Sequence, residues 1–487
     1  MKQKFLKLAT VAVILAVAFG SCKPKPKEPS EDELTWKLEN GTLTISGKGE
    51  IKDNENPWDS QRENVHTLII EEGITKIGQS AFKAYKNLTS ISIPPSVANI
   101  KKYAFANCNN LKTVNFNAID CAMYGREVFE FDTAFSVLNI GNQVKRIPNN
   151  GFCYCNYLTS VSIPNGVTAI GNGAFWSCRA LASISIPFTV ETIGGGAFQS
   201  CTGLASIEIP PSVILLESNA FRGCTNLTSV SLSSSLTAVN DAVFQNCPHL
   251  TSISIPKSVE KIGDNAFYGC ENLSAVFISD EVESIGAGAF YRCEKLSAVT
   301  LPNKLTTIGN QAFQKCIALT AITIPHNVTF IGEQAFQMCE NLNSVVLPNN
   351  LTSIGNQAFQ QCISLTEITI PQTVTSIGMQ AFQQCGNLNS VVLSKNLVAI
   401  GSMAFQNCTA LTSITSPNPV PPSIDASTFY QVDKAACALK VPANAVNVYK
   451  NNKEWKLFNI DSIVLINNTF AISAKSDRQL QSRQSTR

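Results

Sequence analysis

A fixed interval of 23 residues separates the cysteines over most of this chain and limits its fold more than any other feature. A phenylalanine precedes each of these cysteines by three residues, and a leucine follows each by three, without exception. The cysteines are Cys155, Cys178, Cys201, Cys224, Cys247, Cys270, Cys293, Cys316, Cys339, Cys362, Cys385 and Cys408. Self-similarity at such a period predicts a repeat array in which neighbouring units share one core. The core ladder is typified by Phe175, Cys178 and Leu181, by Phe313, Cys316 and Leu319, and by Phe359, Cys362 and Leu365.

The same pattern continues, less strictly, towards the N-terminus. The phase is kept by Phe82, Phe105 and Phe129, with Leu88, Leu111 and Phe135 at the leucine position and one extra residue before Phe135. About fifteen repeats therefore occupy residues 68–415. The hexapeptide LNSVVL recurs at 342–347 and 388–393, which indicates a more recent duplication of a two-repeat unit.

Each repeat combines two kinds of periodicity. LTSISIP at 250–256 alternates aliphatic and hydroxyl residues and ends in proline, a pattern typical of a short half-buried strand. In VTSIGMQAFQQC at 374–385, Gly378 permits a turn that would strain most residues. The three- and four-residue spacing of apolar residues from Ala381 to Leu388 predicts a short helical segment. The sequence therefore predicts an α/β solenoid built of strand, turn and short helical segment.

The consensus LxxIxIPxxVxxIGxxAFxxC, which covers about 350 residues, resembles the BspA-like class of leucine-rich repeat found in surface proteins of anaerobic bacteria and some protists. This resemblance implies a curved leucine-rich repeat array over residues 68–415. The flanking segments 34–67 and 416–465 resemble the β-rich lead-in and the closing segment of such proteins.

Both flanking segments are expected to act as caps. The end turns of a solenoid would otherwise expose an apolar core and unpaired strand edges. Large aromatic side chains suit this role, and we expect Trp36, Trp58 and Trp455 to lie over the two ends.

The first 21 residues have the pattern of a secretory signal peptide. A basic start is followed by an apolar run from Leu8 to Phe19 and by small residues before Cys22. Cys22 resembles the lipidated cysteine of a bacterial lipobox, although Phe19 stands where that motif usually has leucine. We expect lipidation at Cys22 to anchor the chain to the bacterial outer membrane or cell surface without spanning it. A simple secreted protein is the alternative.

The remaining terminal segments are polar, and the charge of the chain is nearly balanced. Residues 22–33 are rich in proline and charge and are expected to form a flexible tether. Residues 466–487 are expected to be disordered. The formal net charge is only +2, with scattered Lys and Arg, so no nucleic-acid partner is expected.

Recurring cysteines invite three explanations, namely disulfides, a metal site or packing. Equivalent residues of neighbouring turns lie about 4.8 Å apart, and side chains that point the same way keep their Cβ atoms beyond the roughly 3.8 Å of a disulfide. Zinc sites need close pairs of ligands, and no histidine stands near the single CxC at Cys153. Packing of the ladder cysteines as small buried hydrophobes is favoured. Cys121, Cys153 and Cys437 are expected to be more open, which leaves a disulfide between two of them as an alternative.

No motif of an enzyme interrupts the repeats. HExxH, GxSxG, glycine-rich phosphate loops and clustered carboxylate pairs are missing from the sequence. His249 and His326 stand in variable slots and are interpreted as surface residues. We therefore expect no enzymatic activity, no metal and no cofactor.

The outward positions of the predicted strands form the candidate ligand face. Serine and threonine dominate these positions, as on an ordinary solvated β surface. The departures are three apolar residues, Phe277, Val346 and Val392, and two carboxylates, Glu208 and Glu367. Exposed apolar groups on a polar face are where binding energy concentrates. The three apolar residues are several repeats apart and are not expected to form one patch.

A ladder of glutamines accompanies the later repeats. Its members recur every 23 residues and are expected to hydrogen-bond from one repeat to the next; they are Gln311, Gln334, Gln357 and Gln380, with Gln314, Gln337, Gln360, Gln383 and Gln406. Structural support or recent duplication explains this ladder better than a ligand does.

The resemblance to BspA-like proteins implies a function in adhesion. Such proteins are associated with attachment to fibronectin, fibrinogen, epithelial surfaces and other bacteria, and a long rigid array of repeated contacts suits avid binding. An alternative is a structural or assembly scaffold in the bacterial envelope with another bacterial protein as its partner. Signalling to host receptors through lipid on Cys22 is a third hypothesis.

Overall fold

The computed structural model of this chain describes residues 34–54, 56–130 and 132–463. The described chain winds into a parallel β-solenoid of about 18 turns with a period of about 23 residues, which confirms the predicted repeat array. Each turn has three sides, which we name the strand face, the second face and the turn face. The predicted signal peptide, the lipidated Cys22, the tether and the tail at 466–487 lie outside the described residues.

The strand face carries the longer strands of each turn. The face consists of five successive sheets, and within each one neighbouring strands of the face pair in parallel at an offset of one repeat, for example Ser160 with Ser183 and Ser162 with Ser185. The middle residue, such as Ile253, is buried while the serines beside it are exposed. These strands are Thr42–Ser46, Thr67–Ile70, Ser90–Ile93, Thr113–Phe116, Val137–Ile140, Ser160–Ser162, Ser183–Ser185, Ser206–Glu208, Ser229–Ser231, Ser252–Ser254, Ala275–Phe277, Ala321–Thr323, Ser344–Val346, Glu367–Thr369, Ser390–Val392, Ser413–Thr415, Ala438–Val441 and Asn459–Ser462. The alternation of inward and outward side chains therefore follows the sequence prediction.

The second face is a narrower set of parallel strands. Most of them contain two residues, of which the second is buried and in most repeats directly precedes a glycine. They are Gly49–Ile51, Ile74–Ile77, Asn99–Ile100, Ala122–Met123, Arg146–Ile147, Ala169–Ile170, Thr192–Ile193, Leu215–Leu216, Ala238–Val239, Lys261–Ile262, Ser284–Ile285, Thr307–Ile308, Phe330–Ile331, Ser353–Ile354, Ser376–Ile377 and Ala399–Ile400.

The turn face corrects the prediction of a helical segment. Here the chain forms consecutive turns, and Gln311 and Lys315 have φ angles of +60° and +61°, which no α-helix accommodates. Phe313 donates its N–H to the carbonyl of Ala335 in the next turn at 2.8 Å, whereas Gln314 donates back to Gln311 at 3.1 Å. Backbone N–H groups thus alternate between the next turn and their own. Apolar residues spaced by three and four suit this arrangement as well as they suit a helix.

The helices that the structure describes all lie near the two ends. One is an α-helix, Val446–Lys450, and three are 3-10 helices, Asp59–Asn64, Ala443–Ala445 and Trp455–Leu457. Across the described parts of the chain, no helix combines the length and the apolar character needed to cross a bilayer.

A column of stacked phenylalanine rings runs through the core. The rings of Phe313 and Phe336 are parallel within 1°, with centroids 5.4 Å apart, and the same stacking continues from turn to turn. The ladder residues Phe175, Cys178, Leu181, Phe313, Cys316, Leu319, Phe359, Cys362 and Leu365 are all fully buried. Burial of one such phenylalanine stabilises the fold by about 1.5–3 kcal/mol.

Crowding between turns is the reason that glycine stands at position 378. The φ angle of Gly378 is not in the left-handed region and does not by itself require glycine. A Cβ atom at this position would lie 2.6 Å from the backbone nitrogen of Asn356 in the preceding turn. Real Cβ atoms do not approach backbone so closely. The glycine therefore sets the spacing of the turns, which corrects the expectation of a strained turn.

Aromatic side chains lie over the N-terminal end of the solenoid. Trp58 stacks on Phe82 with a centroid distance of 6.2 Å, and Trp36 meets Trp58 edge-on at 6.5 Å. The strand Thr35–Glu39 pairs antiparallel with Thr42–Ser46, which in turn pairs in parallel with the next strand of the strand face. The strand face thus begins within the segment 34–67.

The C-terminal end is arranged similarly. Trp455 and Phe458 meet the ring of Phe429 edge-on at 5.6 Å and 5.2 Å. Ala438–Val441 and Asn459–Ser462 continue the parallel pairing of the strand face beyond residue 415. The last sheet of the strand face therefore extends into the segment 416–465.

Candidate functional site

The strand face holds the sequence-predicted ligand residues in one line. Phe277 pairs with Ser254, Val346 with Thr323 and Val392 with Thr369, so each stands at the same position of its own turn. Phe277 is three turns from Val346, and Val346 is two turns from Val392. The structure aligns these side chains without bringing them into contact.

Exposure differs among these residues. Phe277 is 67% exposed and Val346 is 51% exposed, whereas Val392 is half-buried. Glu208 and Glu367 are exposed on the same face. Phe277 is therefore the most accessible apolar group of the candidate ligand face.

The predicted glutamine ladder is confirmed on the turn face. The side-chain amide nitrogen of Gln311 donates a hydrogen bond to the side-chain oxygen of Gln334, and Gln334 donates one to Gln357 in the same way. Each donor–acceptor distance is 2.7 Å. A second amide chain runs from Gln314 through Gln337, Gln360 and Gln383 to Gln406. Gln314, Gln337 and Gln383 are buried, so these amides replace water as each other's partners.

Two stacked tyrosines stand at the repeat position of Gln314, in turns that precede the second amide chain. Tyr268 and Tyr291 are parallel within 3°, with ring centroids 4.6 Å apart, and Lys315 Nζ lies 6.0 Å from the Tyr291 centroid. The sequence analysis did not single out this pair. The sequence feature that could have revealed the pair is an aromatic residue at the repeat position that glutamine occupies in the later repeats.

The ladder cysteines are held by hydrogen bonds as well as by packing. The Cys178 thiol donates to the carbonyl of Phe152 at 3.0 Å, and equivalent bonds of 3.1–3.4 Å recur in eleven further turns. Burial raises the pKa of the Cys247 and Cys339 thiols to about 12. Such thiols are protonated at neutral pH and are poor nucleophiles and poor metal ligands.

The three irregular cysteines are not more open, which corrects the sequence-based expectation. Cys121 and Cys153 are each 4% exposed, and Cys437 is fully buried. All three carry free thiols, and burial raises the pKa of each to about 12.

A buried carboxyl group lies in the irregular repeat. Asp132 is 7% exposed and accepts the backbone N–H of Cys108 at 2.8 Å, while its second oxygen has no partner among the described residues. Burial raises the pKa of Asp132 from 3.8 to about 9. This side chain is therefore neutral at physiological pH.

The described residues form no cluster of metal-ligating side chains. No group of three or more His, Cys, Asp or Glu within residues 34–54, 56–130 and 132–463 is placed to hold a metal ion. His249 and His326 are exposed, in agreement with their interpretation as surface residues.

A cleft on the turn face escaped the sequence analysis. It is lined by Arg126, Trp176, Gly195, Glu217 and Asn240, among other residues. Glu217 and Asn240 stand at the position where ten of the other repeats have glycine and three have Lys101, Tyr124 or Pro148, and this break in the run of glycines was the signal.

The repeat geometry and the consensus agree with one known family. The BspA type leucine rich repeat region matches the chain in overlapping stretches at residues 60–182, 145–274, 260–386 and 329–452. The chain belongs to this family. The matched stretches together run from residue 60 to residue 452 and so cover most of the described solenoid.

Solved structures of bacterial leucine-rich repeat proteins resemble this BspA-type chain. One from Bacteroides ovatus is 23% identical, with a TM-score of 0.53 over 89% of this chain and 99% of that one, and shares the fold. A leucine rich cell surface protein from Faecalibacterium prausnitzii is 26% identical over 80% and 95% of the two chains, with a TM-score of 0.39. The pneumococcal vaccine antigen PcpA is 18% identical over 90% and 98%, with a TM-score of 0.41. No curated protein matches the chain.

Proposed function

We propose that this BspA-type protein is a cell-surface adhesin that binds protein ligands through its strand face. The observation that carries this proposal is the exposure of Phe277, which is 67% accessible on a strand face whose outward positions are mostly serine and threonine. Burying such a ring against a partner removes a large apolar area from water, which is the main source of affinity at hot spots.

The arrangement of the face supports binding by many weak contacts. Phe277, Val346 and Val392 share one line along the rod, so an extended partner meets them in sequence. Several copies of the protein on one cell multiply the avidity of such contacts. Matrix proteins such as fibronectin and fibrinogen, epithelial surfaces and other bacteria are the proposed targets.

Export and anchoring complete the proposal. Cys22 is the proposed lipidation site, which places the array at the bacterial outer membrane or cell surface by its N-terminal end. Neither catalysis nor a cofactor is needed for this function.

The direct test uses the chain from residue 23, without lipid, on immobilised fibronectin and fibrinogen. We expect saturable binding that is strongly weakened when Phe277, Val346 and Val392 are changed together to serine. The matched control changes Phe330, 43% exposed on the second face, to serine and should bind as the parent chain does.

The outcomes separate the candidate functions. Binding that survives the triple change contradicts the strand face as the site while keeping the adhesin. Failure of the folded parent chain to bind either matrix protein, together with protection of the array from protease on intact cells, favours a scaffold that binds another bacterial protein.

A further inference from the structure

The cleft on the turn face is lined by residues from Arg126 to Asn240. Its volume is about 620 Å³. This volume falls within the range of small-ligand sites, roughly 300–1,000 Å³. Three independent departures from the repeat pattern meet here, one in the floor and one in each wall.

The floor of the cleft is backbone because side chains are missing. Gly173, Gly195 and Gly196 line it, and Gly173 and Gly196 have φ angles of +60° and +62°. The later equivalents of these two glycines include Gln311 and Gln334, which keep φ near +60° with a full side chain. The glycines therefore open a depression that the fold itself does not require.

One wall is aromatic. Trp176 lines the cleft with part of its indole accessible, and Arg126 lies over that ring with its guanidinium carbon 4.0 Å from the centroid. The Tyr154 ring lies 5.4 Å from Trp176. These contacts hold the indole in one orientation, and the cation–π contact occupies the arginine.

The opposite wall is polar. Glu217 accepts the backbone N–H of Gly195 at 2.8 Å with one carboxylate oxygen, and Asn240 donates to the carbonyl of Leu216 at 2.7 Å. Within the described residues, the second Glu217 oxygen and the Asn240 side-chain oxygen make no hydrogen bond. The amides of Asn150, Asn172 and Gln199 also line the cleft.

We propose that this cleft binds a neutral oligosaccharide. The C–H face of a pyranose ring packs on the accessible part of the fixed Trp176 indole that Arg126 leaves uncovered, and sugar hydroxyls both donate and accept, as amides and a carboxylate require. Arg126 and Glu217 balance each other in charge, so the lining favours no strongly charged ligand. The site lies on the turn face and is separate from the proposed protein-binding face.

The test measures saturation-transfer NMR on the chain from residue 23 with cellotetraose, mannotetraose and chitotetraose. We expect transfer to at least one of these probes. Trp176→Ala should weaken its affinity about tenfold or more, the loss that corresponds to one lost ring contact of about 1.4 kcal/mol.

A second variant protects the test against misfolding. Gly196→Gln fills the cleft with the residue that the same position holds at Gln311, in the same backbone conformation, and should abolish transfer while the protein stays folded. Tyr268→Ala is the matched control, because Tyr268 occupies the position of Trp176 four turns away, outside the cleft, and should bind as the parent does.

Three results would overturn the proposal. These are no transfer to any neutral probe, equal transfer in the parent and in Gly196→Gln, and binding restricted to a sulfated heparin tetrasaccharide. None of them bears on fibronectin binding, which is lost through Phe277 and not through Trp176.

Discussion

The Cys316 thiol donates a hydrogen bond to the backbone carbonyl of Phe290, 3.2 Å away in the preceding turn. The same carbonyl accepts the N–H of Cys293 at 3.1 Å. Both lone pairs of this buried oxygen are therefore used, one within its own turn and one between turns. A cysteine meets this requirement because it is small, apolar enough for the core and still able to donate.

Cys316→Ala should lower the free energy of unfolding by about 1–3 kcal/mol, since it removes a donor and leaves a small cavity. Urea denaturation followed by circular dichroism measures this change. Val398→Ala, at a side chain 68% exposed, is the control and should alter stability by less than about 0.5 kcal/mol. Equal stability of the parent and Cys316→Ala would show that the thiol bond contributes nothing.

The sixteen described cysteines should resist a chromogenic thiol reagent in the folded chain from residue 23 at about pH 8. Their burial raises their pKa values, to about 12 at Cys247 and Cys339, so almost no thiolate is present. In denaturant without reductant, all sixteen should react. A shortfall of two would instead reveal a disulfide, with Cys121, Cys153 and Cys437 as its candidates.

Gly378→Ala should destabilise the fold by about 1–3 kcal/mol, because its Cβ would lie 2.6 Å from the backbone of the preceding turn. Gly386→Ala is the natural comparison in the same repeat. A Cβ at Gly386 meets nothing within 4 Å, so this change should be neutral or stabilise by up to about 1 kcal/mol. Thermal unfolding of both variants tests the difference, and similar melting temperatures would contradict it.

Gln360→Ala should lower the free energy of unfolding by about 1–3 kcal/mol, because it breaks the amide chain and leaves Gln337 and Gln383 without one partner each. Gln384→Ala removes a single exposed bond, from Gln361, and should cost less than about 0.5 kcal/mol. Urea titration compares the two. An equal loss of unfolding free energy in the two variants would mean that burial adds nothing to the stability that the glutamine ladder provides.

Asp132 should make the protein less stable as pH rises from about 4 to about 9. Its pKa is raised in the folded state, so the folded chain binds the proton more tightly than the unfolded chain does, and this stabilisation is lost as the proton leaves. The stability of Asp132→Asn relative to the parent should therefore increase over this range. Urea unfolding of both proteins at about pH 5 and about pH 8 measures the trend, and a pH-independent difference would contradict it.

The period of the sequence was sufficient to predict the solenoid, the buried ladder and the outward line of Phe277, Val346 and Val392. The prediction of a helical segment was wrong because residues such as Phe313 donate their backbone N–H groups to carbonyls of the next turn. The spacing of apolar residues within one repeat does not reveal that partner. The burial of Cys121 and Cys153 was missed because the extra residue before Phe135 disturbs the phase there. The cleft at Trp176 has no motif and depends on residues from six repeats meeting in space.

The stacked rings and paired strands make each interior turn interchangeable with its neighbour, while the hairpin at Thr35–Glu39 and the aromatic group around Trp455 occur once each. A duplicated pair of repeats, such as the one marked by LNSVVL, can be spliced into the interior with every bond already matched. Each added turn lengthens the rod by about 4.8 Å. Recombination can therefore tune the reach of this protein in uniform steps without any redesign of its ends.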